Sequence, residues 1–449
     1  MRHMKRLREN GSAGAVLLLG LVLSSAVIAP GVMAGPSLDS CAAAASSQFE
    51  KGFESIGMDA RQIDAESAIP TCTEALEQEP NSAQIKAWLG RAYFAAGDTE
   101  NAARLFEEAA EASNVVALAM LGDMLITGNG VPQDMARGAQ LLIEGAEAGF
   151  ALAQNSLGVS YEYGEGVAQD YAAAARWYRA AAEQGMSKAQ ANIGFMYQEG
   201  LGGLPRDYVA AAAWYERSVA QGDPSGQVKL GKLLEEGLGQ PADLARAAEL
   251  YRLAAAQGEK FGQNNLGFFI ENGIGIQADP AAAAELYRLA ADQGLALAQH
   301  NLAMLYEAGR GVTQDYEAAI AFYRRAAQAG EAVSAVNLGL LYLEGRGIDI
   351  DYGEALKWTR IAADRDHPVA LNNLGHMYEN GLGVVADRQA AIGYYRRAAD
   401  LGYDLAADNL VRLAGAGNVS GGDKTKPIKG LLQRERTVDV ARYSRTPDM

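Results

Sequence analysis

A short motif returns at fixed spacing along most of this chain. The pair Leu-Gly recurs, with small variations, at Leu121-Gly122, Leu157-Gly158, Ile193-Gly194, Leu230-Gly231, Leu266-Gly267, Leu302-Ala303, Leu338-Gly339 and Leu374-Gly375, every 36 residues with one step of 37. The extra glycine in the stretch from Gly200 to Gly203 takes up the longer step. A Gly-x-Gly pair begins at Gly128, Gly164, Gly237, Gly273, Gly309, Gly345 and Gly381. Four residues after the second glycine, counting the unit with the extra glycine, stand Asp134, Asp170, Asp207, Asp243, Asp279, Asp315, Asp351 and Asp387. A unit this short cannot bury its own apolar face, so eight copies in constant register must stack on one another.

Each column has a helical reason. Helix A of a unit, for example Ala151 to Tyr163, carries the Leu-Gly pair, where the missing side chain lets a neighbouring helix approach and offsets glycine's cost of about 1 kcal/mol in a helix. Gly164 then stops that helix in the left-handed conformation. Asp170 caps helix B, and Asp279-Pro280 repeats the cap with proline at the first helical position. The aspartates are therefore caps rather than metal ligands. Seven and eight residues after the cap come bulky pairs (Trp177-Tyr178, Trp214-Tyr215, Leu286-Tyr287, Phe322-Tyr323, Tyr394-Tyr395), expected to be buried against small residues such as Ala181-Ala182 and Ala326-Ala327. The composition agrees: 49% hydrophobic but only 8% aromatic, with 51 glycines and 12 prolines, suits many short, closely packed helices. The expected fold is all-α.

The pattern Leu-Gly, Tyr, Gly-x-Gly-Val, Asp, Ala, Trp-Tyr, Ala-Ala, Gly resembles the Sel-1-like repeat family, relatives of tetratricopeptide repeats, over residues 115–402. Upstream, Leu89, Gly90, Tyr93, Gly97, Ala102, Phe106 and Ala109 resemble one tetratricopeptide repeat, and Ala68, Cys72, Ala75 and Pro80 the second helix of a degenerate one before it. The departures are Ala303 for the helix A glycine, Asp366 for the glycine ending helix B, and Leu141-Leu142 where other units are aromatic. The resemblance implies a right-handed α-solenoid whose A helices line a concave surface, and a binding scaffold rather than an enzyme. A cysteine-rich branch of the family, associated with β-lactams, carries a disulfide in each repeat, which these repeats lack. Val411 stands where the next glycine would fall, so Tyr403 to Ala414 is expected to be a capping helix.

The ends differ in character. Arg2, Lys5, Arg6 and Arg8 precede the apolar run Ala13 to Ala29, and Val32, Met33 and Ala34 form a small-residue cleavage site. This reads as a secretory signal over residues 1–34, with a mature, soluble, periplasmic chain beginning at Gly35 and no stable membrane insertion. In an oxidising compartment Cys41 and Cys72 are expected to form a disulfide inside an N-terminal region spanning 35–114. Eight repeats (115–402), the capping helix (403–414) and a glycine-rich, then basic tail (415–449) follow, the tail expected to be flexible. Net charge is −16. Leader and tail are basic, which leaves −23 for residues 35–411. Such a body repels nucleic acid and anionic lipid.

No catalytic constellation emerges. His300 and His376 lie on A helices two repeats apart, His367 is in an Asp-His-Pro turn, and the Gly-x-Gly pairs follow no strand and lack a P-loop lysine. Neither cofactor nor metal is expected. The candidate site is the concave face. Its column after the Leu-Gly pair reads Val159, Phe195, Lys232, Phe268, Met304, Leu340 and His376, and three residues on come Glu162, Gln198, Glu235, Glu271, Glu307, Leu343 and Glu379. An apolar floor with an acidic edge suits a protein or peptide segment both basic and apolar. The alternative is that the stripe is packing and the glutamates are solvated or pair with helix B arginines (Arg179, Arg252, Arg288, Arg324, Arg360, Arg396). Asn192, Asn265, Asn301, Asn337 and Asn373 would bond backbone, in a neighbouring helix or a peptide. The leading function is an exported scaffold; the others are a regulator sequestering a membrane sensor and an envelope-active hydrolase.

Overall fold

A computed structural model describes residues 36–53, 57, 59 and 62–415. The predicted leader and nearly all of the basic tail lie outside these residues. Among the described residues there are helices and no strands. The N-terminal region holds α1 (Pro36–Ala45), α2 (Ala65–Gln78), α3 (Ala83–Ala95) and α4 (Thr99–Ala110). The eight units then supply one helix pair each: α5 (Val115–Thr127) and α6 (Met135–Glu147), α7 (Ala151–Tyr163) and α8 (Tyr171–Glu183), α9 (Ser187–Glu199) and α10 (Tyr208–Ala220), α11 (Pro224–Glu236) and α12 (Leu244–Ala256). The second four are α13 (Lys260–Asn272) and α14 (Pro280–Asp292), α15 (Ala296–Ala308) and α16 (Tyr316–Gln328), α17 (Ala332–Glu344) and α18 (Tyr352–Ala363), α19 (Pro368–Asn380) and α20 (Arg388–Asp400). One further helix, α21 (Asp404–Gly415), packs on α20.

Every helix packs on its successor, and α3/α5, α5/α7, α9/α11 and α11/α13 also touch directly. No two successive B helices touch to the same degree. The A helices are thus the crowded side of the α-solenoid and the B helices its splayed side. Local chemistry sets the boundaries. Asp170 accepts from the amides of Ala172 and Ala173 at 2.8 and 3.1 Å, and the aspartates of the other seven units cap their B helices likewise. Gly164 closes α7 at φ +74°. The second glycine of the pair is held by packing as well as by its φ of +71°, since a Cβ on Gly166 would overlap the Met135 carbonyl of the previous unit. Asp366 adopts φ +55°, so an aspartate takes here the left-handed geometry that glycine takes elsewhere, and it accepts from Arg397 at 2.6 Å.

The helix A glycine makes room for one ring. A Cβ on Gly158, Gly194, Gly231 or Gly375 would come within 2.6–2.7 Å of Tyr178, Tyr215, Tyr251 or Tyr395 on helix B of the same unit. Those tyrosines are fully buried. The expected burial of both bulky residues therefore needs correction: the second of each pair is core, while Trp177, Trp214, Leu286, Phe322 and Tyr394 are half-buried. Helix B turns only one narrow stripe inward, and the preceding residue lies about 100° round from it. Phe322 and Tyr394 stack instead on Tyr306 and Tyr378 of their own A helices, with centroids 5.9 and 5.2 Å apart.

Glutamines lock successive units. Gln184 donates to Gln154 at 2.7 Å and to the Gly149 carbonyl at 3.0 Å, and Gln257 and Gln293 repeat both bonds with Gln227 and Gly222, Gln263 and Gly258. In the N-terminal region Cys41 and Cys72 are joined as a disulfide between α1 and α2, Cα atoms 4.7 Å apart. Beside it, buried Arg91 donates to the Ala45 carbonyl at 2.6 Å, and burial lowers its guanidinium to about 10 despite Glu50 and Asp59.

Candidate ligand-binding face

Val159, Phe195, Lys232, Phe268 and Met304 are half-buried on the A-helix side, whereas Leu340 and His376 are buried. Phe268 rests against the apolar clusters of its own and the following unit, and Met304 and Leu340 belong to the large C-terminal cluster. The stripe is continuous in register but closed at its C-terminal end. Burial lowers the His376 imidazole, with Glu379 working against that shift.

The glutamate column is engaged inside the solenoid. The buried tyrosine of helix B donates its hydroxyl to the helix A glutamate of its own unit: Tyr178 to Glu162 at 2.6 Å, Tyr251 to Glu235 at 2.7 Å, Tyr287 to Glu271 at 2.8 Å, Tyr323 to Glu307 and Tyr395 to Glu379 at 2.9 Å. Burial raises the tyrosines, and the facing glutamates raise Tyr178, Tyr251 and Tyr287 further. Arg310 and Arg346 approach the other carboxylate oxygen of Glu271 and Glu307 at 3.0 and 3.1 Å, and Arg412 donates to both oxygens of Glu379 at 2.5 and 2.6 Å, sharing Oε2 with Tyr395. Burial pushes Glu379 up, but Arg412 and Tyr395 together hold it below the usual carboxylate range.

These pairings correct two expectations. The helix B arginines do not hold this glutamate column: Arg179, Arg288, Arg324 and Arg360 donate to Tyr197, Tyr306, Tyr342 and Tyr378 of the next A helix at 2.7–2.9 Å, and Arg252 binds Glu249. Helix B carries them toward the following unit, away from their own glutamate. Of the expected asparagines, Asn192 and Asn301 bond other asparagines rather than backbone, Asn265 accepts from the adjoining Asn264 at 3.2 Å, and Asn337 donates to the Tyr323 hydroxyl at 3.4 Å. Asn192 donates to Asn155 at 3.1 Å, Asn301 to Asn264 at 3.0 Å and Asn409 to Asn372 at 2.9 Å, each rung crossing between adjacent A helices.

His300 contacts Ser334 at 2.8 Å, and His367 caps α19 through its backbone position. Among the described residues no group of histidine, cysteine, aspartate or glutamate is arranged to hold a metal ion. A cleft of about 380 Å³ opens on the A-helix side between α5, α7, α9 and the start of α11, and Val159 is among its lining residues. Its polar members Asp123, Ser156 and Lys188 were not read from the sequence: the concave column began at Val159 and so left out Asp123 of the first unit, and Ser156 and Lys188 stand outside that column. Asp123 at that column position was the available signal.

Eight Sel1 repeats match residues 115–150, 151–186, 187–223, 224–259, 261–295, 296–331, 332–367 and 368–403, well over half of the chain. The chain belongs to the Sel1 repeat family. A tetratricopeptide repeat matches residues 61–122, spanning α2 to α4 and the start of the first Sel1 unit. No curated protein matches the chain. Solved structures similar to this chain include two Sel1-type proteins. A protective antigen present in uropathogenic Escherichia coli strains, displaying an SLR fold, shares 31% identity over 86% of this chain and 79% of its own, with a TM-score of 0.57. A Sel1 repeat protein from Oxalobacter formigenes shares 30% identity over 69% of this chain and 89% of its own, with a TM-score of 0.50. Sel1 and tetratricopeptide repeats are protein–protein interaction scaffolds. Among the described residues no helix is long and apolar enough to cross a membrane.

Proposed function

We propose that this Sel1 protein is an exported, periplasmic scaffold whose A-helix face seats a partner segment that is both basic and apolar. The observation that carries this reading is the half-buried column Val159, Phe195, Phe268 and Met304, set on the crowded side of a solenoid whose body bears a charge of −23. Half-buried side chains are already oriented by their neighbours and lose little freedom when a partner covers the rest. The glutamates act through the field of the face rather than as free anchors, since each is already bonded to a tyrosine. Export is supported by the basic and apolar leader and by the Cys41–Cys72 disulfide.

A photocrosslinking side chain at Phe195, Phe268 or Met304 is expected to capture a partner in intact cells, and the same group at exposed Leu253 or Leu289 on the B helices is not. Capture from the B positions alone would overturn the assignment of the face. Intact mass of the native protein is expected to start at Gly35 with both thiols oxidised; two alkylatable thiols would overturn the oxidising compartment.

A further inference from the structure

Helix α5 is apolar or small along its length except for Asp123 and the terminal Thr127. Asp123 is half-buried, and its Oδ2 accepts from the Ser156 hydroxyl on α7 at 3.0 Å. The pair opens into the cleft on the A-helix face, where Lys188 at the start of α9, Glu165 after α7, and the helix-capping Asp223 and Glu259 supply charge and Leu152 and Val159 an apolar wall. Desolvation dominates this carboxyl and pushes it up to about 7, against the pull of Ser156 and Lys188 and with a further push from Glu165. Burial raises Glu165 as well. On the other helices packed on α5, Lys86 and Arg104 pair with Glu108 and Arg137 with Glu107, while Arg91 donates to the Ala45 carbonyl, Glu144 accepts from Gln140 and Glu162 accepts from Tyr178. A carboxylate kept for stability is ordinarily held low by its partners. This one is short of positive charge and faces an open cleft.

We propose that the cleft is a subsite for a primary ammonium or guanidinium group of the segment seated on the A-helix face, with Asp123 steadied by Ser156 as its anion and Leu152 and Val159 packing on the aliphatic stem. This rests on the peptide-binding reading of that face. Lys188 then acts as an internal competitor that the incoming cation displaces. A cation favours ionised Asp123, so binding releases a proton below neutrality. The carboxyl is roughly one tenth ionised at pH 6 and nine tenths at pH 8, which makes affinity rise about tenfold across that interval.

The test is calorimetry on the mature protein with a short acetylated, amidated peptide of alternating lysine and leucine. Its counterparts are the same peptide with norleucine for lysine, and free spermidine. The lysine peptide is expected to bind about tenfold more tightly at pH 8 than at pH 6. Asp123→Asn should remove that dependence and weaken binding at pH 8 about tenfold, Lys188→Gln should tighten it, and Glu249→Gln, which changes net charge equally at an exposed site, should leave it unchanged. Spermidine binding as tightly as the peptide would assign the cleft to free polyamines instead. Equal binding of the norleucine peptide, matching behaviour of Asp123→Asn and Glu249→Gln, or no binding of the lysine peptide would each overturn the subsite. Crosslinking from Phe268 and Met304 would still report on the wider face, so the two readings fail separately.

Discussion

A buried phenol hydroxyl needs an acceptor, and that need accounts for the glutamates. Glutamate in the last turn of a helix opposes the macrodipole by roughly 0.3–1 kcal/mol. The tyrosine bond outweighs this, because a buried hydroxyl without a partner costs about 1–3 kcal/mol. Replacing Tyr287 by phenylalanine removes the hydroxyl and leaves Glu271 with Arg310, so urea unfolding should show a loss of about 1 kcal/mol. Glu271→Leu, which strands the hydroxyl instead, should cost more; the reverse order would contradict the pairing. Asp123 has the opposite sign. Its folded-state value near 7 lies above the ordinary carboxylate value of about 3.9, so the folded protein holds the proton more tightly. Stability contributed at low pH is lost as pH rises from about 4 through 7. Asp123→Asn should therefore raise the melting temperature more at pH 8 than at pH 5, and an equal gain at both would show that the carboxyl is not held in its neutral form.

At the scale of the helix, what was legible followed from chemistry contained within a few residues. An aspartate followed by free amides predicts a cap, and a glycine after an apolar turn predicts a stop, because each pair of groups is adjacent along the chain. Which side chains meet across helices was not legible. Tyrosine and glutamate lie 16 residues apart, arginine and the next unit's tyrosine 18, and glutamine and glutamine 30. These spacings are constant, but only the crossing of the helices decides which columns face. The helix glycine shows both sides of this. Its need for close approach was readable; its partner, one tyrosine ring, was not. That partner grades the column. A Cβ on Gly194 would lie 2.6 Å from the Tyr215 ring, and one on Gly267 would lie 3.0 Å from Tyr287. Alanine already stands at Ala303, fully buried in the same cluster as Tyr323. Gly267→Ala should thus be close to neutral, helix propensity offsetting a small shift of the ring, while Gly194→Ala should lose stability and Gly194→Leu about 1–3 kcal/mol. Equal denaturation midpoints for the two alanine variants would contradict the ring contact as the cause.

Across the whole molecule, contacts run almost entirely between neighbours, so stability is local and additive along the axis. The eightfold register was enough to predict this architecture, since units that repeat must meet each other through repeating faces. It said less about the N-terminal region, where the buried Arg91 and the bond from Trp88 to Glu50 at 2.9 Å join the first turns to α3 without a repeating column behind them. That region depends instead on the single crosslink, which spans 31 residues. On the chain-entropy account, closing a loop of this length stabilises the fold by about 3–4 kcal/mol. Cys41 and Cys72 are fully buried in a cluster that also contains Trp88 and Leu105, so the loss on reduction should enter through α1 and α2 and reach α3 and α4. A nearest-neighbour chain then attenuates it. Hydrogen exchange with and without reductant should show fast exchange confined to α1–α4, fading within the first Sel1 unit, and unchanged protection from α13 to α20. Exchange that rises uniformly along all the helices would mean that the solenoid unfolds as one unit and that its stability is not a sum over neighbours.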